Sequence, residues 1–246
     1  FYPYAQSSVD FKNGDRPTNN YSAGMDLKYG ISNSFTLDAT LIPDFGQVTF
    51  DDKELNLTPF EQQFDENRAF FTEGASLFNK ADGQSFRAGN FFYSRRIGDE
   101  ISFDEDDYLQ NDEEILNYDG KPDLLNSIKI TGTTDSGLSI GIINSITNNA
   151  YARIKNINTN EIRSQKIAPL TNFNILSLTQ QIANEHSSIS FLNTSVLRAT
   201  KDFENANNSA FVMDLFDNKK KFNLKSIVYR SDSPTFSSTK GFRGSI

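Results

Sequence analysis

The chain has 246 residues, with 24 basic and 32 acidic side chains, a net charge of −8 and no cysteine. Ten of the acidic residues lie between Asp99 and Asp119, a stretch without a basic residue, so the rest of the chain carries a small positive charge. This distribution argues against nucleic acid as a partner, because phosphate binding needs clustered Lys and Arg. The absence of cysteine excludes disulfides and thiolate metal sites, and no apolar run reaches the ~18 residues of a membrane-spanning helix.

The N-terminal residues 1–20 are polar and rich in turn residues such as Asn13-Gly14. We interpret them as an approach segment from a preceding domain, with a first edge strand around Tyr4 and Val9 as an alternative. The chain has no initiator Met, no secretory segment and no obvious closing strand. We therefore expect it to be an internal or incomplete piece of a longer protein.

A β-hairpin is predicted next, because apolar and polar residues alternate with period two from Met25 to Leu41. Met25, Leu27 and Tyr29 form one apolar face, and the turn is expected at Ser32-Asn33-Ser34. Residues 44–84 break this pattern, since they mix carboxylates with Phe residues without a clean period. We do not expect this charged segment to cross a lipid bilayer as a strand.

Further strands are predicted, many of them about as long as the 9 to 11 residues of a tilted membrane strand. They are Phe86–Ile97, Leu125–Thr134, Leu138–Thr147, Leu170–Ile182, Ser187–Ala199, Ser209–Asp217 and Phe222–Arg230. The connections between them alternate in length, and residues 99–124 and 148–169 are expected to be long loops. Because outer-membrane barrels have short periplasmic turns and longer external loops, we place the acidic loop 99–124 outside. This topology leaves the first short turn, Ser32–Ser34, as an external exception.

Six separate blocks of the chain resemble a large family of Bacteroidota outer-membrane proteins. The blocks are Pro43–Val48, Asn56–Thr58, Phe60-Glu61, Glu66–Phe71, Glu73-Gly74 and Tyr93–Gly98. Members of that family pair an N-terminal, family-nine-like carbohydrate-binding module with a long β-barrel of unknown function. The module is absent from this sequence, and the similarity covers most of the chain from Tyr21 onward.

Together, the strand pattern and the resemblance imply an all-β fold, an antiparallel transmembrane β-barrel. We expect residues 21–246 to be the N-terminal part of a larger barrel, with about ten strands visible. The charged segment 44–84 is expected in the lumen of this barrel or at its periplasmic mouth. The implied function is that of a non-enzymatic integral protein of the cell outer membrane, a channel, an uptake component or a subunit of an envelope assembly. Its expected partners are outer-membrane lipid and other envelope proteins or glycans, and no cofactor or metal is expected.

Two alternatives stay open at this point. The first is a surface protein that binds or processes glycans through its parent's carbohydrate-binding module. The second is a soluble β-sandwich interaction domain, because the strands 170–179 and 222–229 have mixed faces and strands buried on both sides look mixed.

The candidate site residues are charged residues of the segment 44–84 and of the predicted strand Phe86–Ile97, which carries two arginines. We predict a structural network in the lumen, because guanidinium groups pair bidentately with carboxylates. Its members are Asp44, Glu61, Glu66, Arg68, Glu73, Arg95 and Arg96. Carboxylate pairs such as Glu61 with Glu73 are also compatible with glycoside hydrolysis, but a chain rich in carboxylates supplies such pairs by chance. His186 is expected to be a solvated turn residue, and the acidic loop is more simply a solvated loop than a calcium site.

Overall fold

The computed structural model describes residues 1–10, 18–42, 64–79, 91–101, 108–200, 202–233 and 239–245. In these ranges the fold is all-β, with thirteen strands in two antiparallel sheets and three short helical turns. No helix within the described ranges has the length and apolar character needed to span a bilayer.

The main sheet contains ten antiparallel strands. In spatial order they are β1 (Tyr2–Asp10), β2 (Thr18–Gly30), β3 (Phe35–Leu41), β5 (Leu124–Thr133), β6 (Leu138–Thr147), β9 (Thr171–Gln181), β10 (Ser188–Arg198), β11 (Ala206–Phe216), β12 (Asn223–Asp232) and β13 (Thr239–Ser245). In the described part of the chain, β1 and β13 form the two edges of this sheet and are not paired with each other.

A second sheet has three strands, in the order β4 (Glu113–Tyr118), β7 (Ala150–Asn156) and β8 (Ile162–Ala168). The helical turns are α1 (Ala69–Thr72) and two 3-10 turns, η1 (Ala75–Leu77) and η2 (Ser94–Arg96). We call residues 64–79 and 91–101, which carry these turns, the insert.

The predicted strands of the main sheet are largely confirmed. The hairpin pairs Leu27 with Ala39 and turns at 31–34, and β5, β6 and β9 to β12 lie within a few residues of their predicted bounds. Residues 2–10, assigned to the approach segment, form the edge strand β1.

Two predictions about local structure are wrong. The described part of the predicted strand Phe86–Ile97 contains the 3-10 turn η2 rather than a strand, because Arg68 binds the carbonyls of Ser94 and Ile97 and so fixes a turn there. The predicted long loop at 148–169 is mainly the hairpin of β7 and β8, and β4 lies inside the acidic stretch 99–124.

Because residues 91–97 do not form a strand, the topology of the main sheet differs from the predicted one. Because neighbouring strands alternate in direction, the connections 31–34, 134–137, 182–187 and 217–222 all lie at one end of the main sheet, which we call the short-turn end. The connections 42–123 and 148–170 leave from the opposite end, the long-connection end. The first hairpin turn is therefore no exception, and the insert enters from the long-connection end.

Apolar residues lie on both faces of the main sheet, and one face also buries polar and charged residues. One face, which we call the covered face, buries Ser127, Lys129 and Ser145 at 0 to 1% exposure. The other, the open face, exposes Ile142 by 38%, Phe211 by 46% and Val228 by 49%. A sheet with one face in water normally places its apolar residues on the covered face.

The small sheet has a core of its own. Ala152, Ile154 and Ile167 are buried and pack against Tyr108 and Ile115. Alternation along β7 places Ala150, Ala152 and Ile154 on the buried face and Tyr151 and Arg153 on the exposed face.

A bidentate ion pair ties the two edge strands of this small sheet to the residues before β4. Nε and Nη2 of Arg163 each lie 2.8 Å from a carboxylate oxygen of Glu113, and Nη2 also donates to the carbonyl of Tyr108 at 2.7 Å. The hydrogen bond from Arg163, helped by the backbone N–H of Gln110, lowers the pKa of Glu113 from 4.5 to about 2.

We expect acid to loosen the small sheet. Because the pKa of Glu113 is lowered on folding, its contribution to stability is complete above pH 4.5 and is lost as the pH falls towards about 2. The protection factors for amide hydrogen exchange in β4 and β8, which correct for the intrinsic pH dependence of exchange, should therefore fall as the pH is lowered across this interval, whereas the Glu113→Gln variant should start less protected and lose this pH dependence. Equal pH dependence in the two proteins would contradict this role of Glu113.

Candidate functional site

The insert lies on the covered face of the main sheet. Phe71, Phe78 and Ile97 pack in one cluster with Ile143 and Ile175 of β6 and β9. Farther along the same face, Phe91 packs against a second cluster, formed by residues of β10 to β12. The junction of insert and sheet thus extends over most of the covered face, and we treat it as the candidate site.

Lys129 holds the insert against the covered face of the main sheet. Its side chain is 1% exposed, and Nζ donates to the carbonyls of Phe70 at 2.6 Å and Glu73 at 2.8 Å. The carboxylate of Asp38 on β3 lies 3.4 Å from Nζ and compensates its charge. The ring of Phe70 adds a cation–π contact at 4.9 Å. A buried ammonium group of this kind is tolerated because it is both paired and hydrogen-bonded.

Lys28 and Glu73 extend this cluster towards solvent. Lys28 of β2 donates to the Glu73 carboxylate and lies 3.9 Å from Asp38. The hydrogen bond from Lys28 holds the pKa of Glu73 below its ordinary value. Three neighbouring strands of the main sheet therefore place charged side chains around one short piece of the insert. The strands β2 and β5 each contribute a lysine, and β3 contributes an aspartate.

A second ion pair holds the two parts of the insert together. Arg68 forms a bidentate pair with Glu66 at 2.8 and 2.7 Å, and it also donates to the carbonyls of Ile97 and Ser94 at 2.7 and 2.8 Å. The Ser94 hydroxyl donates to the same carboxylate at 2.6 Å. Burial raises the pKa of Glu66, but the hydrogen bonds from Arg68 and Ser94 outweigh it and leave this pKa below its ordinary value.

The other predicted site residues differ in where they lie and in which residues they contact. Arg95 donates to the carbonyl of Asp65 at 2.5 Å and lies over the ring of Phe64, and Arg96 lies exposed in η2. Glu73 contacts lysines of the sheet rather than the arginines with which we had paired it. Asp44 and Glu61 lie outside the described residues.

Sequence reasoning missed the residues of the sheet that hold the insert, namely Lys28, Asp38 and Lys129. The signal was present, because each lies on the polar side of an alternating strand. What the pattern alone does not give is which polar faces meet, since this depends on the order of the strands.

A cavity of about 250 Å³ lies inside the insert, lined by Phe64, Phe71, Phe92 and Tyr93 among others. This volume is below the roughly 300 to 1,000 Å³ of most ligand pockets. Within the described ranges there is no group of three or more potential metal ligands. The contacts of the junction are ion pairs, hydrogen bonds and aromatic packing, which hold the insert against the sheet.

His186 lies in the connection between β9 and β10, where its backbone N–H donates to Asn184 at 2.9 Å and its ring lies 3.2 Å from Glu185. Both contacts are local to the turn.

Fold and junction together define an all-β protein whose antiparallel sheet is covered on one face by an insert from its own chain. A family model described as a domain of unknown function (DUF5916) matches residues 1–246, and the chain belongs to this family. No curated protein and no solved structure matches the chain.

Proposed function

We propose that this chain is part of an integral β-barrel of the cell outer membrane, in which the open face meets lipid and the covered face lines the interior. The observation that carries this proposal is the apolar open face of the main sheet, which lies opposite a face that buries polar and charged groups. An open face bearing Ile142, Phe211 and Val228 is costly in water, since water-exposed apolar patches of this kind are rare in monomeric soluble proteins. In lipid it is the favourable arrangement.

The covered face supports the same proposal. It buries Lys129 with Asp38 and a series of serine and threonine side chains, including Ser127 and Thr179. Strands of membrane barrels alternate between apolar residues facing lipid and polar residues facing the interior. The core of a soluble β-sandwich is mainly apolar, whereas this face buries a lysine and several hydroxyl side chains beside its apolar clusters.

We further propose that the protein is non-enzymatic and acts as a channel, an uptake component or a subunit of an envelope assembly. The insert then fills the interior from the long-connection end, which is the external end if short turns are periplasmic. The insert is held there by buried charges as well as by an apolar cluster, and in this proposal it acts as a plug whose position controls passage.

Membrane extraction and gel migration of the intact protein test this proposal. We expect the protein in the outer-membrane fraction, released by detergent but not by salt, and migrating differently with and without boiling. Such heat-dependent migration arises because a closed barrel resists unfolding by detergent until it is heated. A freely soluble protein with unchanged migration would contradict the proposal.

A further inference from the structure

Open-face residues of the main sheet fall into rows that cross the strands, because each residue lies directly opposite its partner on the next strand. The lower row is Leu27, Ala39, Ile128, Asn144, Asn174, Ser195 and Asn207. The middle row, two residues nearer the short-turn end, is Tyr29, Leu37, Ile130, Ile142, Leu176, Asn193 and Ser209. The upper row is Phe35, Gly132, Ile140, Leu178, Phe191, Phe211 and Val228.

The change from apolar to polar residues falls at a different strand in each row. It lies between Ile128 and Asn144 in the lower row and between Leu176 and Asn193 in the middle row. Below the lower row it comes one strand earlier, between Leu41 and Asn126. The upper row stays apolar as far as Val228 on β12. The boundary therefore crosses the rows in steps, with Ile146 and Leu197 as apolar residues on its polar side.

The slope of this boundary has a simple geometric meaning. Two steps of two residues correspond to ~13 Å along the strands, and they occur over three strand spacings, or ~14 Å. The boundary is thus inclined by about 40° to the rows, which run perpendicular to the strands. Strands of membrane barrels are tilted by ~35–45°. A flat bilayer surface cutting a tilted sheet would produce these steps.

Side chains at the boundary are hydrogen-bonded to one another across the strands. The Nδ2 group of Asn144 donates to Asn172 and Asn174, each at 2.7 Å, and that of Asn193 donates to Asn207 at 3.0 Å. Among the described residues, the Nδ2 groups of Asn172, Asn174 and Asn207 have no hydrogen-bond acceptor. An unsatisfied polar group costs several kcal/mol in hydrocarbon, so these amides belong at a polar surface.

We infer that this asparagine band, made up of Asn144, Asn172, Asn174, Asn193 and Asn207, contacts the lipid headgroups of the leaflet at the long-connection end. The strands cross that leaflet at about 40° to the membrane normal. The inference rests on the proposed function, to which it adds the depth and tilt of the sheet. Beyond the boundary, the ion pair of Arg230 with Asp232 at 2.7 Å lies on the polar side, as expected.

Single cysteine residues introduced on the open face can report how deep each position lies in the bilayer, because the chain itself contains no cysteine. In the middle row, Leu176→Cys and Ser209→Cys compare an apolar with a polar position, and Ile128→Cys and Ser195→Cys do the same in the lower row. Each variant of the intact protein would be labelled with a fluorophore and folded into phosphatidylcholine vesicles carrying a quencher either in the acyl chains or at the headgroup. Phe211→Cys provides the reference for the hydrocarbon layer.

We expect Ile128→Cys, Leu176→Cys and Phe211→Cys to be quenched at least about twofold more by the acyl-chain quencher. Ser195→Cys and Ser209→Cys should show the opposite preference, although each shares a row with an apolar position. Equal depth within both rows, with Phe211→Cys still in the acyl region, would overturn the inference and leave the proposed function intact. No quenching by lipid at any position, in variants that remain folded by their gel migration, would overturn both.

Discussion

Replacing Lys129 by methionine is expected to detach the insert from the main sheet. The variant leaves the carbonyls of Phe70 and Glu73 without their donor and removes the nearest counter-charge of Asp38. Removing one partner of a buried ion pair typically costs about 3–5 kcal/mol. We expect a lower unfolding temperature in detergent and faster proteolysis of residues 64–79 than in the unmodified protein.

Lys121 offers a matched control, because its side chain is 55% exposed and its nearest carboxylate, on Glu100, is 3.7 Å away. Exposed pairs contribute roughly 0–1 kcal/mol, so Lys121→Met should have little effect. Combining Lys129→Met with Asp38→Asn should cost less than the sum of the two single changes, since the second removes the charge left unpaired by the first. A Lys129→Met protein with unchanged unfolding and proteolysis would contradict the role of Lys129 as an anchor.

Gly141→Ala is expected to displace the insert by steric conflict. Gly141 lies on the covered face of β6, and a Cβ atom there would come within 2.8 Å of the Phe78 ring. Phe78 is only 2% exposed, so its ring has little room to move away. Overpacking of this kind typically costs about 1–3 kcal/mol. If the insert is a plug, the variant should also let small hydrophilic solutes enter vesicles faster.

Gly120→Ala is the matched control, because a Cβ atom at Gly120 would meet nothing within 4 Å. Adding Phe78→Leu to Gly141→Ala should recover part of the lost stability, since the smaller side chain makes room for the new methyl group. If Gly141→Ala and Gly120→Ala unfold alike and show the same solute entry, the close packing of Phe78 against β6 does not hold the insert in place.

The strands of the main sheet could be predicted from sequence because their period-two alternation is strong and local. Ile140, Ile142 and Ser145 of β6, for example, alternate in the sequence as they do across the sheet. The small sheet was missed because its buried positions on β7 include Ala150 and Ala152, whose small side chains give a weak apolar signal.

The turn at 94–96 was not predictable from its own residues. The run Phe91-Phe92-Tyr93 favours a strand. The guanidinium group of Arg68, which is distant in sequence, instead donates hydrogen bonds to the carbonyls of Ser94 and Ile97 and stabilises a turn. The junction was only partly predictable for the same reason. The pairing of Glu66 with Arg68 follows from nearby residues, whereas the meeting of Lys129 with Glu73 depends on strand order and on the path of the insert.

In the proposed arrangement the open face of the main sheet meets lipid, and a single charge introduced on that face tests this most directly. We expect Ile142→Lys to destabilise the protein folded in lipid vesicles by about 1–3 kcal/mol, because lysine costs about 2–4 kcal/mol at the bilayer midplane and less towards the interface. Ser209→Lys, on the same row but beyond the polar boundary, should cost about 1 kcal/mol or less. If Ile142→Lys is neutral or makes the protein more stable in water, the open face is a solvent-exposed surface and the membrane account is wrong.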